Sequence, residues 1–328
     1  MYVLELVGKD DPLAAAEAET AATDVTVAAP GVATAASIDP RMIRMLALTR
    51  RAGESVGRTA PTIAAARDHL TAVVDDLDRA GPVAVRARTV RETVAVDTQQ
   101  AERSLGSVLT DHGYAVDLEA PANELRAVFT DGSCFLYWLD VERAGGFTAR
   151  PPTARPFFQP GSMSPTLART IANLARAGPG RTLLDPMCGT GGILIEAGCL
   201  GADLLGGDIQ AKMVHGTRTN LDHYVPEASV ALFRADATRL PICDEPVDAV
   251  AFDVPYGRQS KIAGRSLGTV VQPALAEARR LADRAVVVAD RSWADAARDA
   301  GWTLAALFER RVHRSLTRRI HVLTAGSQ

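Results

Sequence analysis

The sequence predicts an α/β chain: a parallel, doubly wound sheet in the second half and a smaller α+β region in the first. Three observations carry this. Short apolar runs alternate with helical patterns through residues 182–323, and such alternation builds a parallel sheet covered by helices. Acids close three of those runs, Asp185, Asp208 and Asp253, and ligands of such sheets bind beyond the carboxyl ends of the strands. Residues 146–160 hold Pro151, Pro152, Pro156 and Pro160, a stiff linker by composition between halves of different texture.

Four segments follow. Residues 1–58 form an N-terminal α+β, ferredoxin-like subdomain with a strand, an Ala-rich helix near Leu13–Ala22 and a basic helix near Pro40–Arg51. Residues 59–145 form a second α+β domain. In it, 61–79 fits an amphipathic helix through Ile63, Leu70, Val73, Val74 and Leu77. Val83–Arg88 alternates as a strand does. A helix over Ala101–Leu109 is closed by Gly113, and strands Glu124–Phe129 and Cys134–Asp140 are joined at Asp131-Gly132. Residues 146–160 are the linker, and 161–328 the large domain. There, strands are expected at Thr182–Asp185, Leu204–Asp208, Ser229–Arg234, Val247–Phe252, Ala285–Ala289, Thr303–Phe308 and Leu316–Leu323. Helices are expected near Ile193–Ala197, Ala211–His223, Val271–Ala282 and Trp293–Ala300.

Length and composition fit a globular chain of about two domains, with 328 residues, 47% hydrophobic and 23% charged. No apolar run reaches the roughly 18 residues a membrane helix needs. The start lacks the pattern of a signal peptide, so a cytoplasmic protein with no membrane partner is expected. Cys134, Cys188, Cys199 and Cys243 form no C-x-x-C pair, and no metal site is expected. The net charge of −3 speaks against a nucleic-acid partner only as a sum. The basic side is almost all arginine, with lysine at Lys9, Lys212 and Lys261 alone. It concentrates at Arg41, Arg44, Arg50, Arg51 and Arg58, and at Arg310, Arg311, Arg314, Arg318 and Arg319. Arginine's planar fork suits phosphate and base stacking. A biased codon composition explains the shortage of lysine equally well.

Asp185-Pro186-Met187-Cys188-Gly189-Thr190-Gly191-Gly192 joins a strand to a helix. A dinucleotide fingerprint would need glycine where Leu194 stands, and no G-K-[ST] follows, so neither pyrophosphate reading holds. An opening acid with Gly189 and Gly191 suits a zwitterionic nucleoside, and S-adenosylmethionine is one. Cys188 and Thr190 line the turn. Asp208 ends the next strand, where an acid bonds ribose hydroxyls, with Ile209 beside it. Asp236, with Ala237, follows the third strand and can accept from the adenine amine. Taken singly, each acid is also an ordinary strand-end turn residue.

Asp253-Val254-Pro255-Tyr256-Gly257 follows the fourth strand. The exocyclic amine of a base is a poor nucleophile because its lone pair is delocalised into the ring. Acceptors for its N–H groups return density to nitrogen. Asp253 can accept one and the Val254 carbonyl another, Pro255 fixes the backbone between them, and Tyr256 offers a ring for an extruded base. A bound sulfonium would supply the methyl, and the protein placement and electrostatics. Asp253 can also take the released proton.

Four stretches carry a family resemblance: Arg155–Ser164 (R-P-F-F-Q-P-G-S-M-S), Asp185–Glu196 (D-P-M-C-G-T-G-G-I-L-I-E), Asp253–Lys261 (D-V-P-Y-G-R-Q-S-K) and Arg311–Thr317 (R-V-H-R-S-L-T). Through them the chain resembles the archaeal tRNA (guanine(10)-N2)-methyltransferase family. Residues 59–145 are similar to a THUMP domain, notably at Glu102-Arg103-Ser104-Leu105-Gly106 and at Phe147 after Gly145-Gly146. The resemblance implies a Rossmann-like class I methyltransferase domain with a mixed seven-stranded sheet. It also implies an N-terminal α+β region containing the THUMP-like domain, S-adenosylmethionine as cofactor, and mono- or dimethylation of guanosine 10 in tRNA. DNA is not expected as a partner, and a monomer is. The family's motif is usually D-P-P-Y. Val254 stands at its second place, keeping the carbonyl and losing proline's φ restraint, so altered efficiency is expected rather than inactivity.

Ser164-Pro165 reads as an N-cap and first helical residue, with Leu167, Ile171 and Leu174 as the buried stripe. The resemblance implies that this turn lies over the methionine end of the cofactor, making Ser162, Ser164 and Thr166 candidate contacts. The RNA is expected at Arg41, Arg44, Arg50, Arg51, Arg258, Lys261, Arg310, Arg311, Arg314, Arg318 and Arg319. A solvated basic edge strand is the plainer reading of the last group. Two other readings share these motifs: methylation of another RNA guanine, and a catalytically weak tRNA-binding protein.

Overall fold

Two units divide the chain, Met1–Ala144 and Gly145–Gln328. The computed structural model describes residues 1–243, 246–255, 267–313 and 316–326, and among these each unit holds one seven-stranded sheet.

The first unit runs β1 (Tyr2–Leu6), α1 (Asp11–Ala18), β2 (Ala22–Thr23), β3 (Thr26–Ala29), β4 (Val32–Ala35), β5 (Ser37–Ile38), α2 (Pro40–Ile43), β6 (Thr49–Thr59), α3 (Ile63–Val73), β7 (Val83–Thr89), α4 (Thr98–Asp111), β8 (Asn123–Thr130) and β9 (Ser133–Glu142). Its sheet has the order β3-β4-β1-β6-β9-β8-β7, and β2 pairs with β5 separately. Ala66, Leu70, Leu105 and Leu109 of α3 and α4 are buried with Leu125, Phe129 and Leu136 of β8 and β9.

The basic helix expected over Pro40–Arg51 is corrected to one turn. Asp39 Oδ1 accepts the amides of Arg41 and Met42 and starts α2. Buried Glu17 then accepts the amides of Ala47 (2.9 Å) and Leu48 (2.6 Å). Those bonds hold residues 44–48 out of a helix and deliver the chain to β6. The boundary expected after residue 58 falls inside β6, which pairs with β1 on one side and β9 on the other.

The second unit runs α5 (Pro165–Leu174), β10 (Thr182–Asp185), α6 (Gly192–Cys199), β11 (Asp203–Asp208), α7 (Ala211–Tyr224), β12 (Val230–Arg234), β13 (Ala249–Asp253), α8 (Gly268–Leu281), β14 (Arg284–Ala289), α9 (Ala294–Asp299), β15 (Trp302–His313) and β16 (Leu316–Ala325). The order is β12-β11-β10-β13-β14-β16-β15. Six strands run in one direction, and β16 runs antiparallel to its neighbours β14 and β15. This is the expected mixed seven-stranded sheet. The winding reverses between β10 and β13, so the ligand crevice of such a sheet opens at their carboxyl ends. The Pro-rich stretch packs with this unit, through buried Phe147 and Arg155. Arg150 and Arg169 both donate to Glu196 of α6, which is 1% exposed.

Candidate active site

The acids of the large domain's crevice stand at strand ends or on the turns after them, and Ser162, Ser164 and Thr166 stand at or just before the start of α5. Asp185 closes β10 and is 2% exposed; one oxygen accepts the Met187 amide at 3.0 Å. Burial pushes its carboxyl well above the usual carboxylate range against that bond, and the charges of Asp208 and Asp253 push it further. Asp208 closes β11. Its Oδ2 accepts the Gly189 amide (3.1 Å) and its Oδ1 the Gln210 amide (2.8 Å). Burial raises its pKa too, against those two bonds. A carboxylate has about four lone-pair sites, so acceptor capacity remains for ribose hydroxyls.

The turn between them is held from below. The Cys188 amide donates to Gly207 O (2.9 Å) and the Gly191 amide to Cys188 O (2.7 Å). The Thr217 hydroxyl donates to Gly189 O (2.8 Å). Gly191 caps α6 at φ +78°, a conformation glycine takes without a Cβ penalty. The Cys188 thiol is buried and its pKa pushed well up by burial, so it serves as packing and not as a nucleophile. Ile209 is 47% exposed at the mouth. Asp236 Oδ1 accepts from the Thr238 amide (3.0 Å) and hydroxyl (2.8 Å), and Ala237 is buried beside it.

The Arg155–Ser164 segment is strapped across this turn. Arg155 donates to Thr190 Oγ1 (3.2 Å) and Met163 O (3.4 Å). Asn220 of α7 donates to the carbonyls of Phe157 and Thr190 (2.9 Å each) and accepts the Phe157 amide. Ser162 Oγ donates to Gln159 O (2.6 Å) and lies 3.1 Å from Thr190 Oγ1. Ser164 is the N-cap, its hydroxyl accepting the Leu167 amide at 3.4 Å, and Thr166, the second residue of α5, is half-buried. The expected stripe on α5 is an understatement, since the whole run Leu167–Leu174 is buried. Arg155, Thr217 and Asn220 escape a reading of local spacing. The Arg-Pro-Phe-Phe stretch was the one available signal for Arg155.

Across the switch point, Asp253 closes β13 with its side chain 24% exposed. Val254 is 1% exposed, and its amide donates to Val288 O at 2.8 Å. Pro255 is the last described residue of the motif. Tyr256, Arg258, Lys261 and Arg314 lie outside the described residues.

The arginines expected at RNA separate into groups. Arg41, Arg44 and Arg50 are exposed around α2 and the start of β6, and Arg311 is exposed on β15 with Arg310 half-buried. Arg51 pairs with Glu142 at 2.7 Å. Arg319 donates to Glu309 (2.8 Å) and Asp290 O (2.9 Å). Arg318 needs correction as a phosphate contact: it is 7% exposed, and its guanidinium lies 3.5 Å from Asp253 Oδ2.

The acceptors at the strand ends select the cofactor. Three acids converge at the carboxyl ends of β10, β11 and β13, two of them pushed up in pKa by burial. Such a cluster repels a pyrophosphate and accepts a ligand carrying an ammonium or sulfonium. S-adenosylmethionine fits it.

Comparisons with known proteins agree. Residues 152–320 match the family described as RMKL-like, methyltransferase domain. Over 267 residues the chain is 39% identical to a tRNA (guanine(10)-N2)-dimethyltransferase of Methanothermobacter thermautotrophicus, covering 77% of this chain and 79% of that one. It is 30% identical to the enzyme of the same name from Pyrococcus abyssi, covering 75% and 74%. The fold is similar to that of TrmN from Thermus thermophilus, with a TM-score of 0.52, 23% identity and 99% of each chain covered.

Proposed function

The chain belongs to the archaeal tRNA (guanine(10)-N2)-methyltransferase family, and from that premise we propose that it methylates the exocyclic N2 amine of guanosine 10 in tRNA, once or twice. The observation that carries the chemistry is Asp253 at the end of β13, facing the acid-opened turn after β10 across the switch point.

Asp185 holds the ammonium end of the cofactor, Asp208 its ribose and Asp236 its adenine amine. Ile209 covers the base, and the turn Cys188–Gly191 passes beneath. Ser162, Ser164 and Thr166 close the methionine end. When bound, S-adenosylmethionine supplies an electrophilic methyl on a sulfonium, with S-adenosylhomocysteine and one proton as co-products. Asp253 and the Val254 carbonyl accept the two N–H bonds of the guanine amine and return density to its nitrogen. Pro255 fixes their relative direction, and Tyr256 stacks on the extruded base. Arg41, Arg44, Arg50, Arg310 and Arg311 take tRNA phosphates. Within this reading residues 59–145 dock the acceptor end, as a THUMP-like domain, and the enzyme works in the cytoplasm as a monomer.

Transfer from labelled S-adenosylmethionine to transcribed tRNA, followed by mass spectrometry of the nucleosides, tests this. N2-methylguanosine at position 10, abolished by Asp253→Ala with S-adenosylhomocysteine binding retained, is the expected result. Methylation of a different guanosine overturns the position. No transfer, with tRNA still bound, overturns the enzyme.

A further inference from the structure

The sheet register brings Arg318 to Asp253. Asp253 pairs with Val288 on β14, and Val288 pairs with Ile320 on β16. Paired residues direct their side chains to one face of a sheet, and residues two apart on a strand share a face. Arg318 therefore lies on the Asp253 face. Because β16 is antiparallel, it is also displaced toward the carboxyl end of β13. The side chain reaches over β14 and places Nη2 3.5 Å from Asp253 Oδ2. That is an ion-pair distance, longer than the 2.9–3.0 Å or so of a tight N–H···O bond.

We infer that Arg318 is a positioning residue for methyl transfer, holding the Asp253 carboxylate aimed at the guanine amine instead of meeting tRNA phosphate. This rests on the reading of Asp253 as the amine's acceptor. Two further observations support it. Arg318 is 7% exposed, whereas Arg311 on the neighbouring strand is exposed; a phosphate contact needs an accessible guanidinium. Asp253 also faces a second acid, since its charge is felt by buried Asp185 on β10. Two carboxylates in one low-dielectric crevice repel one another, and that repulsion turns Asp253 away from the amine it must accept from. A guanidinium on the far side of Asp253 opposes that tendency. It holds the carboxylate as a fixed acceptor before the base arrives, which is electrostatic preorganisation.

Steady-state kinetics of full-length Arg318→Met and Arg318→Lys on transcribed tRNA separate the possibilities. Arg318→Met should lower kcat by about tenfold or more, with KM for tRNA and affinity for S-adenosylhomocysteine held within about twofold. Arg318→Lys should recover part of kcat by restoring the charge. A raised KM with kcat held, and a shallower salt dependence of tRNA binding, would instead make Arg318 a phosphate contact and overturn the inference. Should the methionine variant fail to fold, Arg318→Lys decides alone: lowered kcat at constant KM supports the role, and raised KM at constant kcat overturns it. Wild-type turnover reports on the parent reading separately. A wild-type enzyme that modifies another guanosine leaves the Arg318 test intact, and a wild-type protein that transfers no methyl removes both.

Discussion

The Val254 amide donates to the Val288 carbonyl at 2.8 Å, extending the β13–β14 ladder one residue past the Asp253↔Val288 pair. The D-P-P-Y pattern that the resemblance implies would put proline at this place, and proline has no N–H to give. Here a hydrogen bond restrains the backbone after Asp253 in place of a ring. Val254→Pro should therefore destabilise the protein by about 1–3 kcal/mol, the cost of leaving a buried carbonyl unmatched. Val254→Ala keeps the donor and loses only packing. Denaturant unfolding of both variants, with deuterium exchange at residue 254 in the wild type, checks this. Wild-type stability in Val254→Pro would show that the bond contributes nothing.

His321 gives a pH dependence with a definite sign. It is 1% exposed on β16; Nε2 accepts the Trp293 amide at 3.0 Å and Nδ1 faces Val287 O at 3.1 Å. A backbone amide only donates, so Nε2 carries no proton and Nδ1 carries one. Burial holds the pKa below the usual histidine value, outweighing the Val287 bond. Below about pH 6.5 the unfolded chain then binds more protons than the folded one. The stability His321 contributes is present above that pH and is lost as pH falls through it. Melting temperature between about pH 7.5 and 5.5 should fall more steeply for wild type than for His321→Gln, which keeps an acceptor and does not titrate. Parallel curves would exclude the effect.

The large domain was legible because its strands are buried on both faces and end in acids, as at Thr182–Asp185 and Ala249–Asp253. Two features were not. The helix expected over Pro40–Arg51 fails because Glu17, thirty residues before Ala47, takes two amides a helix would have used. Local pattern carries no record of such a partner. Arg318 resembles its basic neighbours in charge density and differs from them in strand parity, which composition does not carry. Parity separates Arg318, facing Asp253, from Arg319, bound to Glu309. The strap on the cofactor turn depends on Asn220 meeting Phe157 and Thr190, a tertiary contact with no spacing signal.

The same sorting predicts how tRNA affinity responds to salt. Each phosphate contact contributes about 0.7–0.9 to the slope of log K against log salt. Arg311→Ala and Arg44→Ala remove exposed guanidinium groups and should each make the slope shallower by about one unit. Arg51 and Arg319 are already matched by Glu142 and Glu309 at 2.7 and 2.8 Å, so their replacement should leave the slope unchanged. Filter binding across about 50–200 mM salt measures it. Equal effects from all four would mean that the carboxylate partners give way to phosphate.

Gly216 opposes helix propensity to tertiary fit. It sits within α7, where alanine is intrinsically better by about 1 kcal/mol. A Cβ there would meet the Phe157 ring at 2.1 Å. Phe157 cannot swing aside cheaply. Asn220 bonds both its amide and its carbonyl, and Lys212 Nζ stands 5.8 Å from its ring centre. The clash is therefore passed to the segment that carries Ser162 and to Thr190 beneath it. Gly216→Ala should lose about 1–3 kcal/mol of stability, as overpacking does, despite the better propensity. On the proposed reading, in which the strap closes the methionine end of the site, it should also weaken S-adenosylhomocysteine binding, measured by calorimetry. Gly216→Ala with Phe157→Leu should recover much of both losses by making room for the methyl. A single variant as stable as wild type would show that the ring yields freely and that Phe157 does not hold the strap in place.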